Sequence, residues 1–368
     1  MQSLGRYVLR EVERPLFAWL GFFFAVFFAM AFMRGTDVLL GAAVRLSDLF
    51  RVLAYLSPHF LAQAAPVAFL LALLIGLGRL ADDGELVALQ ALGVRPSRLV
   101  WGPVWLSLWV TLGLLTLAFT AQPWGLRGMR LLGDEIIGRN LVNEVKPRRF
   151  HEEVAGLVLY AEEVASNGRW KNVLVEDGRS DQAPMLLLAR EARVAADPRD
   201  GAIGFHLVDG EAHQLARGDG NYSRLQFQSG DLHVNVGDTI WARNRLRSWR
   251  EELTPIELLD AAREAKENGE DWRPLEMAVH WRFAQALAPL AFALVGTPLS
   301  LVRRRGGRAR GVALTLVGYV GWYLLARACV GLGEHGQLTP ALAGLLPNLL
   351  FIAAGALALW RFDARGRA

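Results

Sequence analysis

The sequence predicts a polytopic α-helical membrane protein with six transmembrane helices and an all-β, jellyroll-like periplasmic domain inserted between the third and the fourth. Two observations support this fold class. Six stretches are long and apolar enough to cross a bilayer, and one long interval, 122–282, contains none. In addition, 53% hydrophobic residues and a mean hydropathy of +0.24 are too apolar for an ordinary soluble protein, which favours a chain partly in lipid and partly in water.

The length of each predicted span follows from the thickness of the bilayer. A hydrocarbon core of roughly 30 Å requires about 20 apolar residues in a helix. The first span follows Arg6, Arg10 and Arg14 as a signal peptide would, but it is long for one and no convincing cleavage site follows it. We therefore expect six spans, at 15–33, 56–77, 99–121, 283–302, 312–332 and 342–360.

The distribution of arginine predicts the direction of the spans. Short cytoplasmic loops are enriched in Arg and Lys. The basic segments are 6–14, 79–98, 303–310 and 361–367, which are every second segment outside the spans. The loop 333–341, by contrast, contains no Lys or Arg. The loop 35–54 is less decisive because it contains both Arg and Asp. Both termini and the segment 79–98 are therefore expected in the cytoplasm, and the interval after the third span on the outer side of the membrane.

That interval has the pattern of a β domain followed by one helix. Between 156 and 236, short runs of β-branched and apolar residues are separated by Gly, Asn and Asp, which is typical of an antiparallel sandwich or jelly roll. After it, Thr254 is a candidate N-cap, Pro255 the first helical residue, Glu257 the partner in a capping box and Gly269 the end of the helix. We expect a connector helix at 254–268.

The stretch RLADDGELVALQALGV, 79–94, lies between the second and third predicted spans. Asp82 is a candidate N-cap with Glu85 three residues later, and Gly93 is a candidate C-terminal stop, so a helix is expected at 80–93. It is too short to cross a bilayer. It is either an interfacial turn whose acids only cap it, or a coupling helix that contacts a soluble ATPase. The expected contact residues are Glu85, Asp82, Asp83, Leu86 and Leu89.

Sites for catalysis and cofactors are not evident in the sequence. The dipeptide Gly-Lys does not occur, so a Walker A nucleotide site is excluded, and the seven histidines form no HExxH motif. The basic segment RRRGGRARG, 303–311, is interpreted as a cytoplasmic loop. We therefore expect no catalytic residue, no metal site, no nucleic-acid binding and no cofactor bound by this chain.

Three segments resemble the lipopolysaccharide export permease family (LptF/LptG), and the resemblance extends over essentially the whole chain. They are PHFLAQAAPVAFLLALLIGLGRLADDGELVALQALGV, EMAVHWRFAQALAPLAFALVGTPLSLVRRRGGR and LTPALAGLLPNLLF. The segments DVLLGAAV and HWRFAQALAPLAFALVGTPLS are more similar to the LptF branch. The resemblance implies a homologous second permease, a dimeric cytoplasmic ABC ATPase that binds ATP and Mg, a periplasmic jellyroll bridge protein, and lipopolysaccharide as substrate. It places the acidic position of the coupling helix at Glu85, and it places the chain in a bacterial inner membrane with the β domain in the periplasm.

A lipopolysaccharide site should combine apolar surface with cations, because lipid A carries phosphates above its acyl chains. The resemblance implies basic residues near the outer end of the first span, which Arg34 matches. Arg45 and Arg327 are further candidates by position; Arg327 lies inside the fifth span and either faces a cavity or extends to the headgroups. Phe24, Phe28 and Phe32 are candidates to line the cavity, or they pack against lipid or other helices.

The predicted organisation has three parts. Residues 1–122 form spans one to three with the coupling helix, 123–280 the periplasmic domain with its connector helix, and 281–368 spans four to six. Two other functions remain open: a permease of another ATP-coupled envelope system, and a membrane-embedded enzyme that modifies lipid headgroups.

Overall fold

The structure is a computed structural model of the full chain. It describes residues 2–39, 45–92, 96–144, 147–151, 157–165, 168–178, 185–197, 202–215, 222–235, 249–301 and 307–365.

Six helical segments within these residues are long and apolar enough to cross a membrane, as the sequence predicted. The third consists of two α-helices joined by a π-helical turn at Leu117–Ala121. The α-helices are α1 (Gln2–Leu39), α2 (Leu46–Asp82), α3 (Glu85–Ala91), α4 (Pro96–Leu99), α5 (Trp101–Thr116), α6 (Gln122–Glu144), α7 (Pro255–Glu267), α8 (Arg273–Leu301), α9 (Gly307–Glu334) and α10 (Pro340–Arg365).

Several helices extend beyond the apolar runs that predicted them. The third span continues as α6 to Glu144, and the interval between α1 and α2 is much shorter than the predicted loop 35–54. Polar residues at the ends of a span can remain helical because the backbone hydrogen bonds do not depend on lipid. At the start of α2, the buried carboxylate of Asp48 accepts the backbone N–H of Arg45 at 2.9 Å. This contact fixes where α2 begins.

The chain divides into two compact units. The first comprises 1–31, 56–126 and 249–368. Its core contains the fully buried side chains of Phe69 and Leu73 from α2, Phe292 from α8 and Trp322 from α9. The rings of Phe292 and Trp322 meet edge to face, with centroids 5.6 Å apart. Helices from both halves of the sequence therefore share one core.

The second unit, 32–55 and 127–248, contains a six-stranded antiparallel sheet. Each strand pairs with the next in the chain, in the order β1 to β6. The core lies on one face, where the rings of Trp170 and Phe205 are buried with centroids 5.9 Å apart. This confirms the predicted β domain between the third and fourth spans. The strands are β1 (Phe150–His151), β2 (Leu157–Val164), β3 (Arg169–Asp177), β4 (Met185–Asp197), β5 (Ala202–Leu215) and β6 (Tyr222–Asn235).

The predicted connector helix is confirmed as α7, including its capping box. The Thr254 hydroxyl accepts the backbone N–H of Glu257, whose carboxylate accepts the backbone N–H of Thr254 at 2.7 Å. Gly269 follows the helix with a φ of 75°, a conformation that favours glycine. On its buried side, Leu258 belongs to one apolar cluster with Val279 of α8.

Polar side chains of β5 and β6 form a bidentate ion pair. The guanidinium of Arg224 donates to both carboxylate oxygens of Glu211, at 2.9 and 2.6 Å, and the Gln226 amide donates at 3.1 Å. Arg224, and after it Gln226, lowers the pKa of Glu211 to about 2. The pair joins the last two strands, because Glu211 is opposite Gln226 in the register.

We expect the contribution of this pair to the stability of the sheet to disappear in acid. Since the folded state lowers the pKa of Glu211, the contribution is complete above the unfolded pKa of about 4.3 and is lost as the pH falls to about 2. The measurement is the thermal midpoint of the amide I β-sheet band, for the full-length chain in detergent, beside Glu211→Gln. The difference between the two proteins should shrink as the pH falls from about 5 towards 2; a constant difference through this acid range would contradict the assignment.

Candidate functional site

The short helix α3 is attached to the end of the second span by a two-residue turn. The backbone N–H of Asp83 donates to the carbonyl oxygen of Arg79 at 2.9 Å, so α2 continues through Asp82. Gly84 then takes a φ of 76°, and α3 begins at Glu85. The prediction that Asp82 caps a helix at 80–93 with Glu85 in a capping box is therefore wrong. In the last turn of α2, Leu80 and Ala81 are buried, and the helix continues through the exposed Asp82 until Gly84 makes the break.

Glu85 is held by a residue of the first span. Its carboxylate accepts a hydrogen bond from the hydroxyl of Tyr7 at 2.7 Å. One turn further along α1, the carboxylate of Glu11 accepts a hydrogen bond from the guanidinium of Arg79. Sequence reasoning missed both contacts, because they join residues 78 and 68 positions apart.

The other predicted contact residues of this region differ in their surroundings. Asp82 and Asp83 are exposed, and Leu89 is half-buried against the core of the first unit. The side chain of Leu86 and the predicted stop at Gly93 lie outside the described residues. Of the predicted set, the described contacts link Glu85 and Leu89 to other helices, whereas both aspartates face solvent.

A cavity of about 550 Å³ opens beside the turn. Its walls combine the acids of the turn and of α1 with apolar side chains deeper in the first two spans. The lining residues are Glu11, Pro15, Trp19, Leu74, Ile75, Gly76, Gly78, Arg79, Asp82 and Asp83.

The two spans that form this cavity approach each other at Gly76. A Cβ atom at that position would lie 2.4 Å from the carbonyl oxygen of Glu11. Nearby, Val8 and Val12 of α1 are 1% exposed. The absence of a side chain at Gly76 thus allows α1 to lie directly on α2 and brings Glu11 within reach of Arg79.

The predicted lipid-binding aromatics lie in the first span. The rings of Phe24 and Phe28 stack with centroids 6.1 Å apart, and Phe28 meets Phe60 of α2 edge to face at 6.2 Å. Both are half-buried. The side chains of Phe32 and Arg34 lie outside the described residues, although both positions are helical.

The two predicted arginines outside the first span have different environments. Arg45 is exposed immediately before α2. Arg327 lies on α9 with its guanidinium 4.6 Å from the ring centroid of Trp281 and 5.4 Å from that of Tyr323. Its Nε also donates to the Tyr323 hydroxyl at 3.2 Å. The side chain is therefore held by aromatic rings of the fourth and fifth spans, while the phenylalanines contact the second.

Sequence reasoning also missed a buried cation at the start of the fourth span. Arg282 is 4% exposed and donates to the carbonyl oxygens of Ala118 at 3.5 Å and of Arg250 and Glu251 at 3.0 Å. The carbonyl of Ala118 belongs to the π-helical turn. A π-helical turn disrupts the regular hydrogen-bond ladder, so Arg282 supplies a donor where a regular helix needs none.

His59 occupies the same region of the first unit. Its Nε2 lies 2.7 Å from the side-chain amide of Gln63. Its Nδ1 lies 3.1 Å from the side-chain amide of Gln122 and 3.9 Å from the carboxylate of Glu251. The sequence signal for this group is an arginine directly before a predicted span, as Arg282 is before 283–302, but it does not identify the partners. Within the described part of the chain, no group of three or more His, Cys, Asp or Glu residues is arranged to hold a metal ion.

Comparison with known proteins gives one consistent result. The family model described as lipopolysaccharide export system permease LptF/LptG matches residues 6–361. The lipopolysaccharide export system permease protein LptF of Escherichia coli K12 is 22% identical, over 96% of this chain and 94% of that protein. The LptF protein of Shigella flexneri has the same identity and coverage.

A single methyl group at Gly76 should separate the first two spans. We expect Gly76→Ala to lower stability by about 1–3 kcal/mol, because the new Cβ would press on backbone and not on a movable side chain. Gly78→Ala is the matched control, since its Cβ would meet nothing within 4 Å and alanine favours a helix. The measurement is the thermal midpoint of each purified variant in detergent. Equal midpoints for the two variants would contradict the packing described for Gly76.

Proposed function

The chain belongs to the family of lipopolysaccharide export system permeases LptF/LptG, and on this premise we propose that it is a transmembrane permease subunit of an ABC-type transporter that extracts lipopolysaccharide from the inner membrane. The observation that carries the proposal is a family match that includes all six apolar helices and the β sheet between them. The curated LptF relatives favour the LptF branch.

In this proposal the chain acts with several partners. A homologous second permease completes the membrane pathway, a dimeric cytoplasmic ABC ATPase binds ATP and Mg, and a periplasmic jellyroll bridge protein accepts the lipid from the β domain. Both termini lie in the cytoplasm and the β domain lies in the periplasm. The alternation of basic segments with spans supports this orientation.

We assign α3 as the coupling helix that contacts the ATPase. The support is geometric: the turn at Gly84 separates α3 from the second span, and α3 is too short to cross the bilayer. Glu85, at its first residue, provides the charge for an ionic contact, with Asp82 and Asp83 exposed beside it. Leu89 anchors the helix on the core, and Leu86 remains a proposed contact.

We assign Arg327 to the binding of a lipid phosphate. The aromatic rings of Trp281 and Tyr323 hold its guanidinium within the membrane-spanning part of the chain. A guanidinium binds phosphate by paired hydrogen bonds that are stronger than its contact with a ring. Arg34 and Arg45 are proposed as further cations for the lipid, and Phe24, Phe28 and Phe32 as apolar lining.

Charge reversal at the coupling helix should detach the ATPase. We expect Glu85→Arg, purified in detergent from its native membranes, to retain the second permease and to lose a soluble P-loop ATPase that the wild type retains. The reason is that an ionic contact would become a repulsion. Glu264→Arg is the matched control, because it reverses an exposed acid on α7, in the segment that we assign to the periplasm.

The bound proteins are identified by mass spectrometry. Retention of the ATPase by Glu85→Arg would remove Glu85 from the contact, and its absence from the wild type would contradict the proposed transporter.

Loss of the charge at Arg327 should weaken lipid binding. We expect Arg327→Gln to raise the dissociation constant for lipopolysaccharide about tenfold or more, because a charge-assisted hydrogen bond contributes roughly 1.5–3 kcal/mol. The dissociation constant of Arg327→Lys should lie between those of the wild type and Arg327→Gln, since lysine keeps the charge but lacks the planar guanidinium that forms paired hydrogen bonds. Arg263→Gln, an exposed arginine of α7, is the control.

The measurement is native mass spectrometry of the permease pair titrated with lipopolysaccharide. Equal affinities for wild type and Arg327→Gln would contradict the assignment.

A further inference from the structure

The amino-terminal end of α1 contacts both sides of the turn that carries the coupling helix. Tyr7 and Glu11 are four residues apart and so lie on the same face of α1. Tyr7 binds the first residue of α3, and Glu11 binds Arg79 in the last turn of α2. The turn between these helices is thus tied to the first span at two points.

The same end of α1 is packed on two sides. Gly76 of α2 lies against the backbone of Glu11, and a Cβ on Gly102 of α5 would lie 3.4 Å from the carbonyl oxygen of Gly5. Val8 and Val12 are buried between these contacts. Further along α1, Phe17 and Phe22 are 65% and 53% exposed. The first span is therefore held mainly at the end that contacts α3.

The bond from Tyr7 suits a residue that must also bind a partner. A tyrosine hydroxyl is a neutral donor, so it orients the carboxylate of Glu85 without neutralising the charge. The described bond reaches Oε2, and a carboxylate has lone pairs on both oxygens for further donors. Glu85 can thus be bound by Tyr7 and by a basic group of another protein together.

We propose that Tyr7 is a positioning residue that fastens the coupling helix to the first span, so that a displacement of α3 by the ATPase moves α1 together with α2. The inference rests on the proposed function of α3. Without the Tyr7 hydroxyl, α3 remains joined to α2 by the chain, and the direct link to α1 is lost.

The test removes only the hydroxyl. In the complete transporter reconstituted in liposomes with lipopolysaccharide, Tyr7→Phe should keep the bound ATPase and hydrolyse ATP within about twofold of the wild-type rate, because the charge on Glu85 remains. The amount of lipid extracted per ATP should fall about threefold or more, since the bond between α1 and α3 is lost. Glu11→Gln, which weakens the contact between Glu11 and Arg79, should also lower the amount of lipid extracted per ATP. Tyr160→Phe in the sheet is the control for loss of a hydroxyl.

A spectroscopic measurement separates this role from a general loss of stability. Spin labels at Gly21 of α1 and Gly321 of α9 enter open space, since a Cβ at either position meets nothing within 4 Å. The distance between the labels should change when the wild-type complex binds ATP, and the change should be clearly smaller in Tyr7→Phe, which retains only the tie through Glu11.

The outcomes distinguish this inference from the proposed function. If Tyr7→Phe extracts lipid per ATP like the wild type and shows the same change in label distance, the inference is wrong, while loss of the ATPase by Glu85→Arg still supports the coupling helix. If Tyr7→Phe loses the ATPase, Tyr7 acts in docking, and the proposed role in transmission is wrong. If Glu85→Arg and Tyr7→Phe both behave like the wild type, the proposed function of α3 fails as well.

Discussion

The close packing of the sixth span on the fourth is the contact on which the rest of the helical unit depends. A Cβ on Gly355 would lie 2.5 Å from the carbonyl carbon of Leu294, so these backbones touch. In lipid, helices associate through such close contact and through hydrogen bonds. The surrounding lipid is itself apolar, so the hydrophobic effect does not drive helices together. Asn348 supplies the bonds: it accepts from the Trp322 indole and donates to the carbonyl of Ala284, each at 2.9 Å. Three spans are fixed together by this contact.

The fixed fourth span also organises its neighbours. Near its start, Arg282 binds the π-helical turn of the third span and the segment that returns from the β domain at 249–251. The first span has a different status, because its buried apolar residues are concentrated near its amino terminus, at Val8, Val12 and Leu16. Beyond Leu16, the described side chains of α1 up to Met30 are half-buried or exposed, so α1 is held most firmly at its amino-terminal end.

The sequence predicted what depends on local composition. Hydropathy located all six spans, and the residues around Thr254 located α7 with its cap, because span length and capping are set by neighbouring residues. The same rules failed at Asp82, where tertiary packing extended α2 through a residue that often begins a helix. The bond from Tyr7 to Glu85 and the carbonyls around Arg282 could not be predicted, since the partners are brought together only by the fold.

Glu85 and Arg327 have one physical property in common: a neutral aromatic residue holds each charge. Tyr7 donates to the carboxylate of Glu85, and Trp281 and Tyr323 lie against the guanidinium of Arg327. An oppositely charged neighbour would also orient these groups, but it would neutralise them and compete with any ligand. A neutral donor or an aromatic ring fixes the direction of the charge, and a cation on a ring gains only about 0.5–2 kcal/mol. In the proposed function, a partner's basic group at Glu85 or a lipid phosphate at Arg327 would therefore bind without first breaking an ion pair.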